Sequence, residues 1–199
     1  MNKMEASENV NLVIGKVRLS YVKLFEGDGE KVTNAKGKVQ YKYGVSMLMD
    51  KEKDKVAIKQ VEEAQAAVLA MYKTKFRGAK PKAMPLRDGD EDRPSDEAYV
   101  GSMFINGGVY KSEGQYPSVV KRVDKGVYEN VGADVVYSGC YAYAEISIYI
   151  YDNSFGRGIA CSLNKILFAG NGERLAGSGM SASAAFDDVE IGEEGKSYL

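Results

Sequence analysis

The chain has 199 residues, two cysteines and no histidine, a length that supports one domain able to bury a core without disulfide staples. Lack of histidine removes the commonest general base and metal ligand, and two cysteines cannot complete a structural zinc site. The net charge of −1 conceals an asymmetry: the last 13 residues hold five acids (Asp187, Asp188, Glu190, Glu193 and Glu194) and one base, which leaves 26 bases against 23 acids in a mildly basic body.

The opening MNKMEASENVN is polar and mixed in charge, with no secretory or transit pattern. No apolar run approaches the ~20 residues that span a bilayer, so a reducing cytoplasm and no membrane partner are expected. Residues 1–9 read as a flexible leader, 10–186 as one domain and 187–199 as an acidic tail. From Val10 to Val22, alternation predicts a strand with Val13, Val17, Leu19 and Tyr21 inward and Lys16, Arg18 and Ser20 outward. Glu26 to Lys38, rich in glycine and charge, reads as a loop. Tyr41 to Met49 predicts a second strand with Val45, Met47 and Met49 inward and Lys42, Gly44 and Ser46 outward.

Helical spacing through Val56, Val61, Ala64, Val68, Leu69 and Tyr72 predicts an amphipathic helix from Lys55 to about Phe76, with Asp54 as its N-cap. Arg77 to Glu97 reads as a long surface loop, Ala98 to Gly107 as a third strand, Gly107 to Tyr116 as a loop with Lys111, and Pro117 to Val123 as a short extended piece with Lys121 and Arg122.

Tyr137 to Asp152, YSGCYAYAEISIYIYD, is the most informative stretch. Its even positions are small and apolar (Ala142, Ala144, Ile146, Ile148, Ile150), whereas its odd positions carry Tyr137, Tyr141, Tyr143, Tyr149 and Tyr151 around Glu145. Side chains alternate across a strand, so one face serves a core and the other presents tyrosines. Gly139 is a candidate bulge. After a turn at Asp152 to Gly158, the segment Gly158 to Phe168 predicts a hairpin partner with Ile159, Cys161, Leu163 and Leu167 on one side. Strands with one helix and no βαβ rhythm predict a mainly β protein, an antiparallel barrel or sandwich with a single helical insertion.

Exposed tyrosines beside lysines and arginines suit single-stranded nucleic acid, since rings stack on bases and cations follow phosphates without a sequence code. The same rings would also serve as a second packed layer, with their hydroxyls reaching water. The candidate contact set is Lys16, Arg18, Lys42, Tyr43, Lys111, Lys121, Arg122, Tyr137, Tyr141, Tyr143, Tyr149, Tyr151, Arg157 and Lys165. The acidic run Asp88, Asp90, Glu91 and Asp92 is the one candidate for a metal-dependent nuclease, but it lacks the spaced glutamate of a calcium loop. No phosphate-binding glycine loop is present, and neither cofactor nor resident metal is expected. A structural β protein of a virion is a further alternative. The tail would compete with nucleic acid for a cationic groove, or offer Tyr198 and Leu199 to a partner protein.

The segments GKVRLSYVKLF (Gly15 to Phe25), KYGVSMLM (Lys42 to Met49), PLRDGD (Pro85 to Asp90), YVGSMFIN (Tyr99 to Asn106), YSGCYAYAEI and GIACSLNKI (Gly158 to Ile166) follow one another in an order that resembles the single-stranded-DNA-binding proteins of tailed bacteriophages. The resemblance implies an extended oligonucleotide/oligosaccharide-binding (OB) barrel and no catalysis. It also implies sequence-independent binding of single-stranded DNA during replication, recombination or repair in the infected cell's cytoplasm. Phage or host replication and recombination proteins are the implied partners of the tail, and self-association is left open. An OB barrel places its helix after the third strand, so a further strand is expected between Glu30 and Gln40.

Overall fold

The computed structural model describes residues 8–34, 36–154 and 156–175. In chain order these form β1 (Asn9–Lys23), β2 (Glu30–Thr33), β3 (Val39–Asp50), α1 (Lys55–Lys75), β4 (Leu86–Asp88), α2 (Gly89–Asp92), β5 (Ser102–Lys111), β6 (Ser118–Asp124), β7 (Val127–Asn130), β8 (Tyr141–Asn153) and β9 (Gly156–Gly170). Antiparallel pairing joins β5 to β3, β3 to β1, β1 to β8 and β8 to β9. A parallel bridge between Gly108 and Ser162 returns β9 to β5. The mainly β ring runs β1-β3-β5-β9-β8, the strand order of an OB barrel with one main helix.

Parity on β8 is as the sequence predicts. Ala142, Ala144, Ile146 and Ile148 are fully buried, and burial of each isoleucine is worth about 1.5–3 kcal/mol. The helix α1 lies against β1, β3, β8 and β9. Its buried stripe is Ala57, Val61, Ala64, Val68 and Tyr72, whereas Val56 is exposed, contrary to the periodicity reading. Asp54 holds the cap position, but its carboxylate accepts the Asp50 N–H at 2.8 Å rather than a helix N–H. The helix stops where Arg77 (φ 51°) and Gly78 (φ 82°) turn left-handed.

On β1 the predicted parity fails. Val10, Leu12 and Ile14 face the core first; register then slips between Ile14 and Val17, after which Val17 and Leu19 face it. An extra residue reverses the alternation, as a bulge does, so Val13 is exposed. A second slip between Ser20 and Lys23, with Tyr21 at φ 46°, turns Tyr21 out to 53% exposure. On β9, one residue more than on β8 lies between Leu163 and Lys165, so Ile166 rather than Leu167 enters the core. Gly139 precedes β8; the irregularities lie at Tyr141/Ala142 and Glu145/Ile146.

Several segments read as loops contain structure. The strand expected between Glu30 and Gln40 is β2, which pairs with β3 outside the ring, so α1 still follows only two ring strands. Strand β5 begins at Ser102, later than predicted, and runs on through Gly107 and Gly108 to Lys111. Tyr99 lies before it and packs with Leu48 and Phe104 in a small separate core.

Both cysteines are buried, and burial pushes the Cys161 thiol up to about 12. A neutral buried thiol is a poor nucleophile, so neither cysteine should react with iodoacetamide in the native protein near neutral pH, and both should react in guanidinium. Rapid native labelling of Cys161 would overturn its placement. Because the folded value is raised, the associated stability is complete below the ordinary thiol range and is lost as pH rises towards about 12.

Candidate nucleic-acid interface

Outward positions of β3 and β5 meet in three rows: Lys42 opposite Tyr110, Gly44 opposite Gly108, and Ser46 opposite Asn106. The last pair is joined by a hydrogen bond from the Ser46 hydroxyl to Asn106 Oδ1. A groove of about 590 Å³ lies over these rows and is walled by Tyr21, Lys23, Arg93 and Tyr149. Its middle is bare backbone. A Cβ on Gly108 would meet nothing closer than the Tyr43 carbonyl oxygen at 3.7 Å, so barrel packing does not require that gap.

Tyr21 and Tyr110 present 53% and 54% of their surface to solvent. Tyr21 is held from two sides: its hydroxyl donates to Asp96 Oδ2 at 3.3 Å, and the Arg93 guanidinium lies 5.0 Å from its ring centre. Arg93 also stacks on Tyr99 at 4.6 Å. Two acids line the groove as well. The Asp28 carboxylate caps its own loop by accepting the Leu24 and Phe25 N–H groups at 3.0 Å, and Glu30 sits opposite Lys42. Tyr149 is half-buried, and burial, with Tyr110 next in weight, raises its phenol pKa. A larger groove of about 1170 Å³ adjoins at Tyr21 and Lys23, and passes Arg18, Tyr137 and Arg174.

The predicted contact residues divide among several surfaces. Lys42 and Tyr149 line the groove. Tyr43 does not stack outward: at 4% exposure it belongs to the core, edge-on to Tyr116 at 6.1 Å. It shares the parity of Val45, Met47 and Met49, which is why it points inside. Tyr137 lies ahead of β8 rather than on it; its hydroxyl donates to the Gly172 carbonyl at 3.0 Å and its ring carries the Arg174 guanidinium at 4.0 Å. Arg18 donates to the Glu173 carbonyl at 2.9 Å, so it helps clamp the same segment.

Lys16 sits 4.7 Å over the Tyr141 ring, and Tyr143 covers Gly15 while remaining 42% exposed. Tyr151 covers Gly158. Lys121 pairs with Glu129 at 2.6 Å, Arg157 with Asp152 at 3.2 Å and Lys165 with Glu145 at 3.9 Å. Arg122 donates to the Asp124 carbonyl at 3.2 Å, and Lys111 lies opposite Tyr41, one row beyond Tyr110. Asp187, Asp188, Glu190, Glu193, Glu194, Tyr198 and Leu199 lie outside the described residues.

Sequence reasoning missed Tyr21, Lys23, Arg93, Asn106 and Tyr110. Only Tyr110 left a usable signal: continuing the third strand past Gly107 sets it opposite Lys42. The acidic run serves structure. Lys51 bridges Asp88 at 2.6 Å and Asp90 at 2.7 Å, Asp88 caps α2, and Arg87 pairs with Asp92. Among the described residues no cluster of three or more potential metal ligands occurs.

A family model described as Enterobacter phage Enc34, ssDNA-binding protein, matches residues 10–196. Protein p50 of Acyrthosiphon pisum secondary endosymbiont phage 1 is 26% identical over 196 residues, covering 93% of this chain and 97% of its own. The structure of the single-stranded DNA-binding protein from bacteriophage Enc34 in complex with ssDNA matches with a TM-score of 0.61 at 22% identity, over 86% of this chain and 96% of that one. A second structure of the Enc34 protein matches with a TM-score of 0.59 at 20% identity, over 93% and 97% of the two chains. With a barrel of the same fold and a family match over nearly its whole length, the chain belongs to the Enc34 family of phage single-stranded-DNA-binding proteins.

Proposed function

We propose that the protein coats single-stranded DNA without regard to sequence, protecting it during phage replication, recombination or repair. The observation that carries this reading is the β3–β5 groove. Two exposed rings, Tyr21 and Tyr110, stand over a glycine floor, with Lys23, Lys42 and Arg93 at its sides. Rings offer a π-face to any base, cations follow the backbone, and a floor without side chains lets the strand lie close. Nothing in this arrangement reads a base edge against a fixed pattern, and no bond need be broken. Membership in the family and the DNA-bound Enc34 structure support the same ligand.

Fluorescence anisotropy with a labelled oligo-dT tests it directly. Affinity should fall as salt rises, because each phosphate neutralised releases counterions. Three cations engaging three phosphates correspond to a log–log slope of about −2 for a single strand. No binding at low salt, with the last 13 residues present or removed, would sink the reading. Incubation with Mg²⁺ should leave labelled DNA intact, because Asp88, Asp90 and Asp92 of the acidic run are already ion-paired.

A further inference from the structure

Beyond the groove, the outer face of the barrel continues across the β5–β9 seam. Gly108 bridges Ser162 in a parallel pair; two residues further on, β5 carries Tyr110 and β9 carries Asn164. From there three rows follow along β9. The first is Glu145, Lys165 and Ser118; the second is Tyr143, Leu167, Val120 and Asn130. The third lies on the β6–β7 hairpin, where Arg122 faces Tyr128 across the strands.

The first two rows share one face, because their alternate neighbours Ala144, Ile166 and Val119 are buried, and the third follows by the unbroken alternation of Ser118, Val120 and Arg122 along β6. From the level of Asn164 to the Arg122–Tyr128 row is about five residues, roughly 17 Å at the rise of a strand. Tyr143 and Tyr128 on this path are 42% and 53% exposed. Every residue of β7 is exposed. Tyr143 also packs over Gly15, but Tyr128, with both faces of its strand exposed, has no such role, and Lys165 and Arg122 stand between these rings.

We infer that this ramp of Lys165, Tyr143, Arg122 and Tyr128 is a second contact surface for the same DNA strand, engaged once the strand is long enough to leave the groove past Tyr110. The inference rests on the groove reading above. It commits to single-stranded DNA because the ramp continues the groove face and repeats its pairing of ring and cation: Arg122 opposite Tyr128 echoes Lys42 opposite Tyr110. Arg122 donates to a backbone carbonyl, and no ion pair holds it among the described residues. Glu145 faces Lys165 at 3.9 Å and sits on the groove side of the ramp, so phosphates pass on the Arg122 side and bases lie over the rings.

The test compares two lengths of oligo-dT on the full chain: about 8 nucleotides, enough for the groove, and about 30, enough for both surfaces. The double variant Arg122→Ala/Tyr128→Ala should bind the long oligomer roughly tenfold more weakly and the short one as the unaltered protein does. Both side chains are exposed, so its thermal melt should not move. Equal binding of the long oligomer by variant and parent overturns the ramp, as does an equal loss at both lengths. Loss traced by sedimentation to a dimer that only the parent forms also overturns it, because the hairpin would then serve a second copy. Failure of the groove reading looks different: Tyr110→Ala would leave short-oligomer binding unchanged.

Discussion

Replacing Tyr110 with alanine is expected to weaken oligo-dT binding about tenfold or more, because one base–ring stack is worth ~1–3 kcal/mol. The ring stands 54% exposed in the row opposite Lys42, and Tyr21 stands 53% exposed at the wall formed with Arg93. A Tyr21→Ala/Tyr110→Ala double variant should lose roughly the product of the two effects if the rings stack on separate bases. Melting temperature is the control. Neither ring fills the barrel, so both variants should melt like the parent. Tyr43→Ala supplies the contrast: that ring is 4% exposed within the core, and its removal should cost ~3–5 kcal/mol of stability. Anisotropy titrations and thermal melts of the three variants separate stacking from packing; a Tyr110→Ala protein that binds like the parent would falsify the groove.

Gly139→Ala is expected to be the most damaging single methyl in the described chain outside the barrel interior. Gly139 has φ +115°, which an L side chain rarely adopts, and its Cβ would come within 2.0 Å of the Glu173 carbonyl oxygen. Strain of this kind costs ~1–3 kcal/mol before the collision is counted. The collision is with backbone, so residues 173 and 174 must move. Those residues are held by Arg18, which donates to the Glu173 carbonyl, and by Tyr137, which carries the Arg174 guanidinium. The variant should therefore melt earlier and become sensitive to proteases near Glu173, while short-oligomer affinity stays near that of the parent. A melt unchanged from the parent contradicts the clamp.

What was legible in the sequence was what a period of two preserves. Along β8 no slip intervenes against β1 between Asn9–Tyr149 and Ile14–Ala144, and the alternation of isoleucine with tyrosine survives into the fold. The helix was legible because its stripe is long. On β1, by contrast, two register slips reverse the alternation twice, and composition does not mark where they fall. Simple alternation therefore puts Tyr21 in the core, whereas it walls the groove.

Gly107 and Gly108 look like loop residues because glycine is rare within strands. Here Gly108 forms the groove floor with Gly44 while Gly107 packs inward against Met47 and Leu163, and reading them as a loop cuts the strand short of Tyr110. Arg93 follows a run of acids whose pairing with Lys51 and Arg87 depends on contacts 37 residues apart, for Lys51 and Asp88, and on local folding no periodicity signals. Close ion pairs hold Lys121 and Arg157 of the predicted basic set, since a charge count cannot tell a free cation from a paired one.

The way β9 divides its outer side between two partners has a consequence for solubility. Its bridge to β5 is at Ser162, and where β5 departs, β6 takes over at Lys165 to Leu167, so the barrel wall leaves no long stretch of unpaired backbone there. Among the described residues the ends of the sheet fall instead on β4, with three residues, and β7, with four, while the side strand β2 also has four. Edges that short are poor templates for adding a foreign strand. At β2, β4 and β7, molecules lying side by side on a DNA strand would thus offer one another only three or four residues of edge, too little to seed a shared sheet there.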